Sequence, residues 1–303
     1  MDGSRLTRPV AALPSRSCIV HPNRSRLLLI NGRDALCELF AMSSDQPARL
    51  SYELSEFATH GGQRYANRDG WGIVFTQERD AYVYREPGSA SASALEKLVA
   101  GHAVPTRLAI AHVRRATAGH PALRNTHPFS RVVDGKACHF AHNGDLPGLK
   151  EAFSGSAAEE NCVGDTDSEL AFMLLLDRLK GLPGSASMEE RFATFGALCA
   201  GMRNYGDANF LYTEGEALFV HAHKRRYEEN GVIGEPRAPG LHLMELEGAS
   251  PQWRVRGAHV AKEGKSHVLV ASVPLDDGPW QDLAAGTTLL IREGQVALRS
   301  EGV

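Results

Sequence analysis

From residue 37 onward the chain reads as short strand-like segments, then two helical segments, then strands again, and this order narrows its possible folds more than any other feature. Apolar or alternating runs at 37–43, 72–76, 81–85, 108–113 and 137–141 have the lengths and composition of strands. Helical patterns occupy 50–59, ending at Gly61-Gly62, and 93–101. Thr166-Asp-Ser-Glu169 is a capping-box pattern, in which the threonine caps a helix and the glutamate reaches back to it, and the apolar run 170–176 follows. A second helix is expected over 188–203. Strand signals return at 209–213, 217–222, 241–246, 267–273 and 287–291. Strands and helices grouped in this way predict an α+β protein with layered sheets, because a βαβ array would alternate them.

Length and charge exclude several classes of function. A chain of 303 residues has room for two domains or one large α+β unit. Its 43% apolar and 23% charged residues are those of a globular protein. No apolar run approaches the roughly 18 residues of a membrane span, so a soluble protein is expected. A net charge of −3 and a pI near 6.5 lack the basic footprint of nucleic-acid binding, which leaves small-molecule chemistry. Cys18, Cys37, Cys138, Cys162 and Cys199 form no CxxC pair and no regular spacing. An odd, scattered set argues against a disulfide scaffold and fits a reducing cytoplasm.

The charge is uneven along the chain. Residues 1–36 hold six arginines, no lysine and two aspartates (Asp2 and Asp34), a formal +4 that leaves −7 on the other 267 residues. This segment is rich in serine and proline, follows no sustained period, and offers little apolar surface to offset the entropy of ordering. It is expected to be a leader that is disordered, removed, or produced by an upstream start-site assignment. Arginine-rich and acid-poor, it resembles an organelle transit peptide but lacks the apolar core of a secretory signal. The remainder, 37–303, is expected to be one catalytic domain.

Six motifs occur in order after this boundary: Cys37-Glu-Leu-Phe-Ala-Met42, Asp69-Gly-Trp-Gly-Ile73, Ala111-His-Val-Arg-Arg-Ala-Thr117, Asn125-Thr-His-Pro-Phe129, Ala141-His-Asn-Gly-Asp145 and Thr166-Asp-Ser-Glu169. In this order they resemble the class II glutamine amidotransferase domain, and most closely its stand-alone branch without a synthase domain. Weaker similarity continues through Val270-Ala-Ser-Val-Pro-Leu275 and Trp280. The resemblance implies an N-terminal-nucleophile hydrolase fold, four αββα layers with two stacked, mainly antiparallel sheets.

It also implies that Cys37 is the nucleophile and the first residue of the working chain. Elementary chemistry agrees. A free α-amine titrates at about 7.7–8.0 and a thiol at about 8.5, so the amine of a terminal cysteine can take its own thiol's proton near neutral pH. A peptide nitrogen cannot. The resemblance assigns oxyanion stabilisation to the Asn143 side chain and the Gly144 N–H, although Asn-Gly is also the commonest hairpin-turn dipeptide. It assigns the substrate's carboxylate to Arg114, whose planar fork suits that group, with Thr117 as a further contact. Arg114 and Arg115 are neighbours at a strand end, so only one of them can face the pocket. Asp167, at a helix N-terminus, is assigned the substrate's ammonium; read alone, it is an ordinary helix-start aspartate. Trp71 fits a pocket wall or the core equally well.

His221 and His223 would share one face of a strand, but no third ligand is placed, so neither a metal nor another cofactor is expected. His112, His127 and His142 lie inside the motifs and are expected to be structural. Departures from the family pattern are Ala118, where histidine is common, and Val273, where glutamate is common. The activity implied is hydrolysis of glutamine through a thioester on Cys37, with any ammonia acceptor on a separate synthase subunit. Two alternatives stay open. One is a γ-glutamyl amide hydrolase similar to an enzyme of ergothioneine biosynthesis; the other is an inactive binding or regulatory module that retains its leader. Oligomeric state is not legible.

Overall fold

Two antiparallel sheets carry the chain in a computed structural model that describes residues 34–35, 37–50, 52–102, 104–116, 119–229, 232–248 and 266–302. The first sheet runs, in spatial order, Gln281–Asp282, His242–Glu247, Ser266–Ala271, Glu38–Ala48, Thr106–Val113, Trp71–Gln77 and Asp80–Glu86. The second runs Gln295–Ser300, Thr288–Arg292, Ala217–His221, Asn209–Glu214, Lys136–Asn143 and Phe129–Val133. A small third sheet pairs Asp34–Ala35 with Tyr227–Glu229, which also pairs with Val232–Ile233. The expected leader otherwise falls on 1–33 and 36, outside the described residues.

The alternation of side chains along each strand builds the layers. In Glu38–Ala48, Leu39 and Ala41 join one buried cluster while Phe40 and Met42 join another. Asn209–Glu214 does the same, with Leu211 on one face and Phe210 and Tyr212 on the other. Leu39, Ile110, Leu211, Val220 and Leu289 therefore meet between the two sheets in one apolar cluster. The outer face of the first sheet is covered by the helices Tyr52–His60 and Ala94–Gly101, through Leu54, Phe57 and Val99. The outer face of the second is covered by Asp167–Lys180 and Met188–Met202, through Leu170, Phe172 and Phe195. The order helix, sheet, sheet, helix is the expected αββα arrangement.

Two edge strands escape the sequence reading. Phe129–Val133 and Gln295–Ser300 lie at one edge each of the second sheet; only Phe129 and Val133 of the first are buried and none of the second, so neither carries the continuous apolar run of a core strand. The capping box at Thr166 is also corrected. Thr166 Oγ1 accepts from Glu169 N as expected (3.3 Å), but the Glu169 carboxylate turns to Val163 N (3.1 Å), Gly164 N (2.6 Å) and Arg131 Nη2 (2.6 Å). Glu169 is buried, and a buried carboxylate gains more from a guanidinium than from the helix's own amide. A reciprocal box forms instead at Ser187, where Glu190 N donates to Ser187 Oγ and Ser187 N donates to Glu190 Oε2.

Leu211→Ala opens a cavity between the sheets and is expected to cost about 2–5 kcal/mol in denaturant-induced unfolding. Val132→Ala, at a residue 75% exposed, is expected to stay within about 0.5 kcal/mol.

Candidate active site

Cys37 immediately precedes the strand Glu38–Ala48, which is paired on one side with Thr106–Val113 and on the other with Ser266–Ala271. The cysteine is therefore anchored to the middle of a sheet. Its Sγ is held by one neighbouring peptide: it donates to Arg115 O (3.0 Å) and accepts from Arg115 N (3.1 Å). Burial pushes the thiol up to about 11, and the Arg115 amide and the Arg114 charge offset this only in part. Just before it, Asp34–Ala35 run antiparallel to Tyr227–Glu229.

Asn143 ends the strand Lys136–Asn143, and its Nδ2 donates to Ser272 Oγ (2.9 Å). Ser272 Oγ also accepts from Leu39 N (3.0 Å), and Ser272 N donates to Leu39 O, so one serine ties the asparagine to the strand that carries Cys37. An asparagine amide has two N–H donors, and fixing one of them orients the other. Gly144 is required by close approach. A Cβ there would lie 1.8 Å from Asp207 O, a contact only glycine avoids. Asn143-Gly144 is not a hairpin turn, because the chain continues to a short helical turn, Leu149–Ala152, and not to a paired strand. Cys37, Asn143 and Gly144 line one cavity with Asp145, Asp207, Arg225 and Arg226.

Arg114 and Arg115 diverge as strand geometry requires. Arg114 is buried, and its guanidinium donates to Asp69 O (3.3 Å) and Gly119 O (3.1 Å). Arg115 instead forms an ion pair with Glu228 (2.6 Å). Gly119 lies against Thr166, the cap of the helix that begins with Asp167. The Asp167 carboxylate accepts from Leu146 N (2.7 Å), three residues beyond Asn143, so the segment that follows Asn143-Gly144 abuts that helix start. Thr117 and Ala118 lie outside the described residues.

The histidines are held in place structurally. His142 reaches Ser168 Oγ through Nδ1 (2.9 Å) and Asp207 O through Nε2 (2.9 Å). A carbonyl only accepts, so Nε2 carries a proton; burial lowers the pKa of His142, and the Ser168 hydroxyl that meets Nδ1 also donates to Asp167 Oδ1 (3.2 Å). The His112 and His127 rings lie 4.3 Å apart, tilted by 48°, and burial pushes His112 down to about 3. His221 bonds Thr288 and His223 accepts from Ala208 N. Among the described residues no group of three metal-ligating side chains converges, and no helix is long and apolar enough to cross a membrane. Trp71 is buried in the core beneath the first sheet, with its Nε1 on Glu86.

Sequence reasoning missed Ser272, Asn209 and Arg225. Ser272 stands within the 270–275 segment that carries the weaker similarity, whereas Asn209 and Arg225 belong to no motif. Asn209 is fully buried and donates to both Asn143 O (2.9 Å) and Lys224 O (2.7 Å), which fixes the loop bearing Arg225 against the end of the Asn143 strand. Burial also raises Asp207 to about 6, against the pull of Arg226.

The family model for class II glutamine amidotransferases matches residues 36–302. The Escherichia coli (strain K12) protein YafJ, whose name places it among the glutamine amidotransferases, is 33% identical over 190 residues, covering 61% of this chain and 72% of that protein. A crystal structure of a Pseudomonas aeruginosa PA01 protein described as a glutamine amidotransferase superposes with a TM-score of 0.59 at 25% identity, over 86% of this chain and all of that one. The glutamine phosphoribosylpyrophosphate amidotransferase of Bacillus subtilis shares the fold at 17% identity and a TM-score of 0.55, over 88% of this chain and 49% of its own. With a cysteine anchored beside an asparagine–glycine pair in an αββα fold, and with nearly the whole of residues 37–303 matched, the chain belongs to the class II glutamine amidotransferases.

Proposed function

We propose that the chain hydrolyses the side-chain amide of glutamine through a thioester on Cys37, and that its working form begins at that residue. The observation that carries this reading is the convergence of Cys37, Asn143 and Gly144 on one cavity. The free α-amine of Cys37 takes the thiol proton, and the thiolate attacks the δ-carbonyl carbon. The C–N bond breaks as the α-ammonium returns its proton to the leaving nitrogen. Ammonia departs and a γ-glutamyl thioester remains. The amine then deprotonates water, whose attack on the thioester carbonyl releases glutamate and restores the thiol.

Each polar group has a part in this scheme. The Asn143 amide and the Gly144 N–H receive the negative charge that develops on the carbonyl oxygen. Arg114 takes the α-carboxylate of the substrate and Asp167 its α-ammonium, with Thr117 as a further contact. While residue 36 is attached the nitrogen of Cys37 is a peptide amide, and the buried thiol stays near 11 without a base. The segment 1–36 is accordingly a leader to be removed. Where ammonia is passed on, the acceptor is a separate synthase subunit. Cys37, Cys138, Cys162 and Cys199 are free thiols, which fits a reducing cytoplasm.

Three outcomes test this reading. A protease site placed directly before Cys37 lets the full chain fold and then be cut; glutamate release from glutamine is expected to rise at least about 10²-fold on cutting. Equal activity before and after cutting contradicts the scheme. In the cut chain, Asn143→Ala is expected to lower kcat by about 10²–10³-fold, and a change below twofold would remove the side chain from the oxyanion site. Iodoacetamide labelling of Cys37, followed by peptide mass spectrometry, is expected to climb with pH toward about 11 in the uncut chain. After cutting it is expected to be faster at pH 8, because the adjacent α-ammonium favours the thiolate.

A further inference from the structure

Glu96 is a buried carboxyl whose usual partner is taken. Ser93-Ala-Leu-Glu96 has the spacing of a capping box, and Ser93 Oγ accepts from Glu96 N (2.9 Å) at the start of the helix Ala94–Gly101. The return contact is not made, because Ser93 N donates to Ala90 O instead (3.0 Å). Released from the cap, the Glu96 carboxyl accepts no hydrogen bond among the described residues, although the residue is only 9% exposed. Burial pushes it up to about 7, and Lys97 offsets this only in part.

Two cavities meet at this residue. One, of about 20 Å³, is lined by apolar side chains with Trp71 and His112 and has room for a single water or methyl group. The other, of about 440 Å³, opens between the helices Tyr52–His60 and Ala94–Gly101, has Gln63, Ser91 and Lys97 in its lining, and is the size of a small-molecule site. Lys97 is exposed, and its ammonium has no hydrogen bond or ion pair among the described residues. Adjacent residues of a helix point about 100° apart, so Glu96 and Lys97 do not pair with each other. Titratable groups on the neighbouring elements are already engaged, Glu86 with Ser93 Oγ and Trp71, Glu56 with Arg64 and His60 with Glu38, while burial keeps His112 neutral. The larger cavity is thus left with one unpaired carboxyl in its buried part and one unpaired ammonium at its exposed part.

We propose that this cavity is a second ligand site, separate from the Cys37 cavity, and that it takes a small zwitterionic amino acid with its ammonium on Glu96 and its carboxylate on Lys97. A zwitterion supplies both missing partners at once. A ligand with one charge leaves one of them unmet, and a polyamine meets repulsion from Lys97. Gln63 and Ser91 add hydrogen-bonding groups to the same lining. The site shares no residue with the proposed glutamine chemistry, so either reading can fail without the other.

The test is calorimetric titration of the full chain carrying Cys37→Ala, which keeps the nucleophile silent. The probes are glycine, β-alanine and γ-aminobutyrate, whose charges stand progressively further apart, with n-butylamine and butyrate as controls that carry one charge each. The best of the three amino acids is expected to bind at least about 10-fold more tightly than either control. Because an ammonium prefers the ionised carboxyl, that affinity is expected to fall about 20-fold from pH 7.5 to pH 5.5 as Glu96 takes up its proton. Glu96→Gln is expected to weaken binding at least about 10-fold and to flatten its pH dependence, with no loss of thermal stability at pH 7.5, since an unmet buried carboxylate is removed. Lys97→Met, at an exposed position, is expected to reduce the amino acid to the affinity of n-butylamine. Absence of binding by all three amino acids overturns the proposal, as does an affinity unchanged in Glu96→Gln or in Lys97→Met, because the ligand then sits elsewhere.

Discussion

The position of Cys37 depends on the pairing of the strand that follows it. Glu38–Ala48 is hydrogen-bonded along both edges and buried on both faces, Leu39 and Ala41 against the opposite sheet and Phe40 and Met42 against the helices. A strand in that setting cannot slip by one residue without moving each apolar side chain to the wrong layer. The start of the strand is therefore among the best-determined points of the molecule. A side chain placed there inherits its precision from the core, and Ser272, bonded to Leu39 on one side and to Asn143 on the other, carries that precision across to the second sheet.

A chain of buried polar contacts extends this effect beyond the cysteine. Asn209 joins Asn143 to the 223–224 segment, and His142 joins Ser168 to Asp207. Each of these groups is largely desolvated, so each depends on its partner and loss of one leaves another unsatisfied. Such a network costs stability that an apolar replacement would recover. What it provides is a fixed geometry between Asn143-Gly144 and the helix start at Asp167.

Most of the layered architecture was legible in the sequence because period-two alternation and buried apolar runs mark strands that face a core. The edge strands Phe129–Val133 and Gln295–Ser300 were not, since neither carries a continuous buried run. Of the residues the sequence singles out, the fold brings Cys37 and Asn143-Gly144 to one cavity, whereas Arg114 turns to Asp69 and Gly119. Glu169 shows the limit. Local spacing assigned its carboxylate to the Thr166 amide, but Arg131 on a strand distant in sequence took it instead. Arg225 shows the same limit from the other direction, because nothing local distinguishes it from Arg226, and only the folded chain buries one guanidinium and leaves the other half-buried beside Asp207.

The account turns on whether the nitrogen of Cys37 is an amine in the working protein. The most direct measurement is the intact mass, with N-terminal sequencing, of the protein isolated from the cells that naturally produce it. A chain that begins at Cys37 and releases ammonia from glutamine is the predicted result. A chain that retains residue 36 and is equally active would contradict the account, because it would show that the thiol is activated by a base other than its own α-amine.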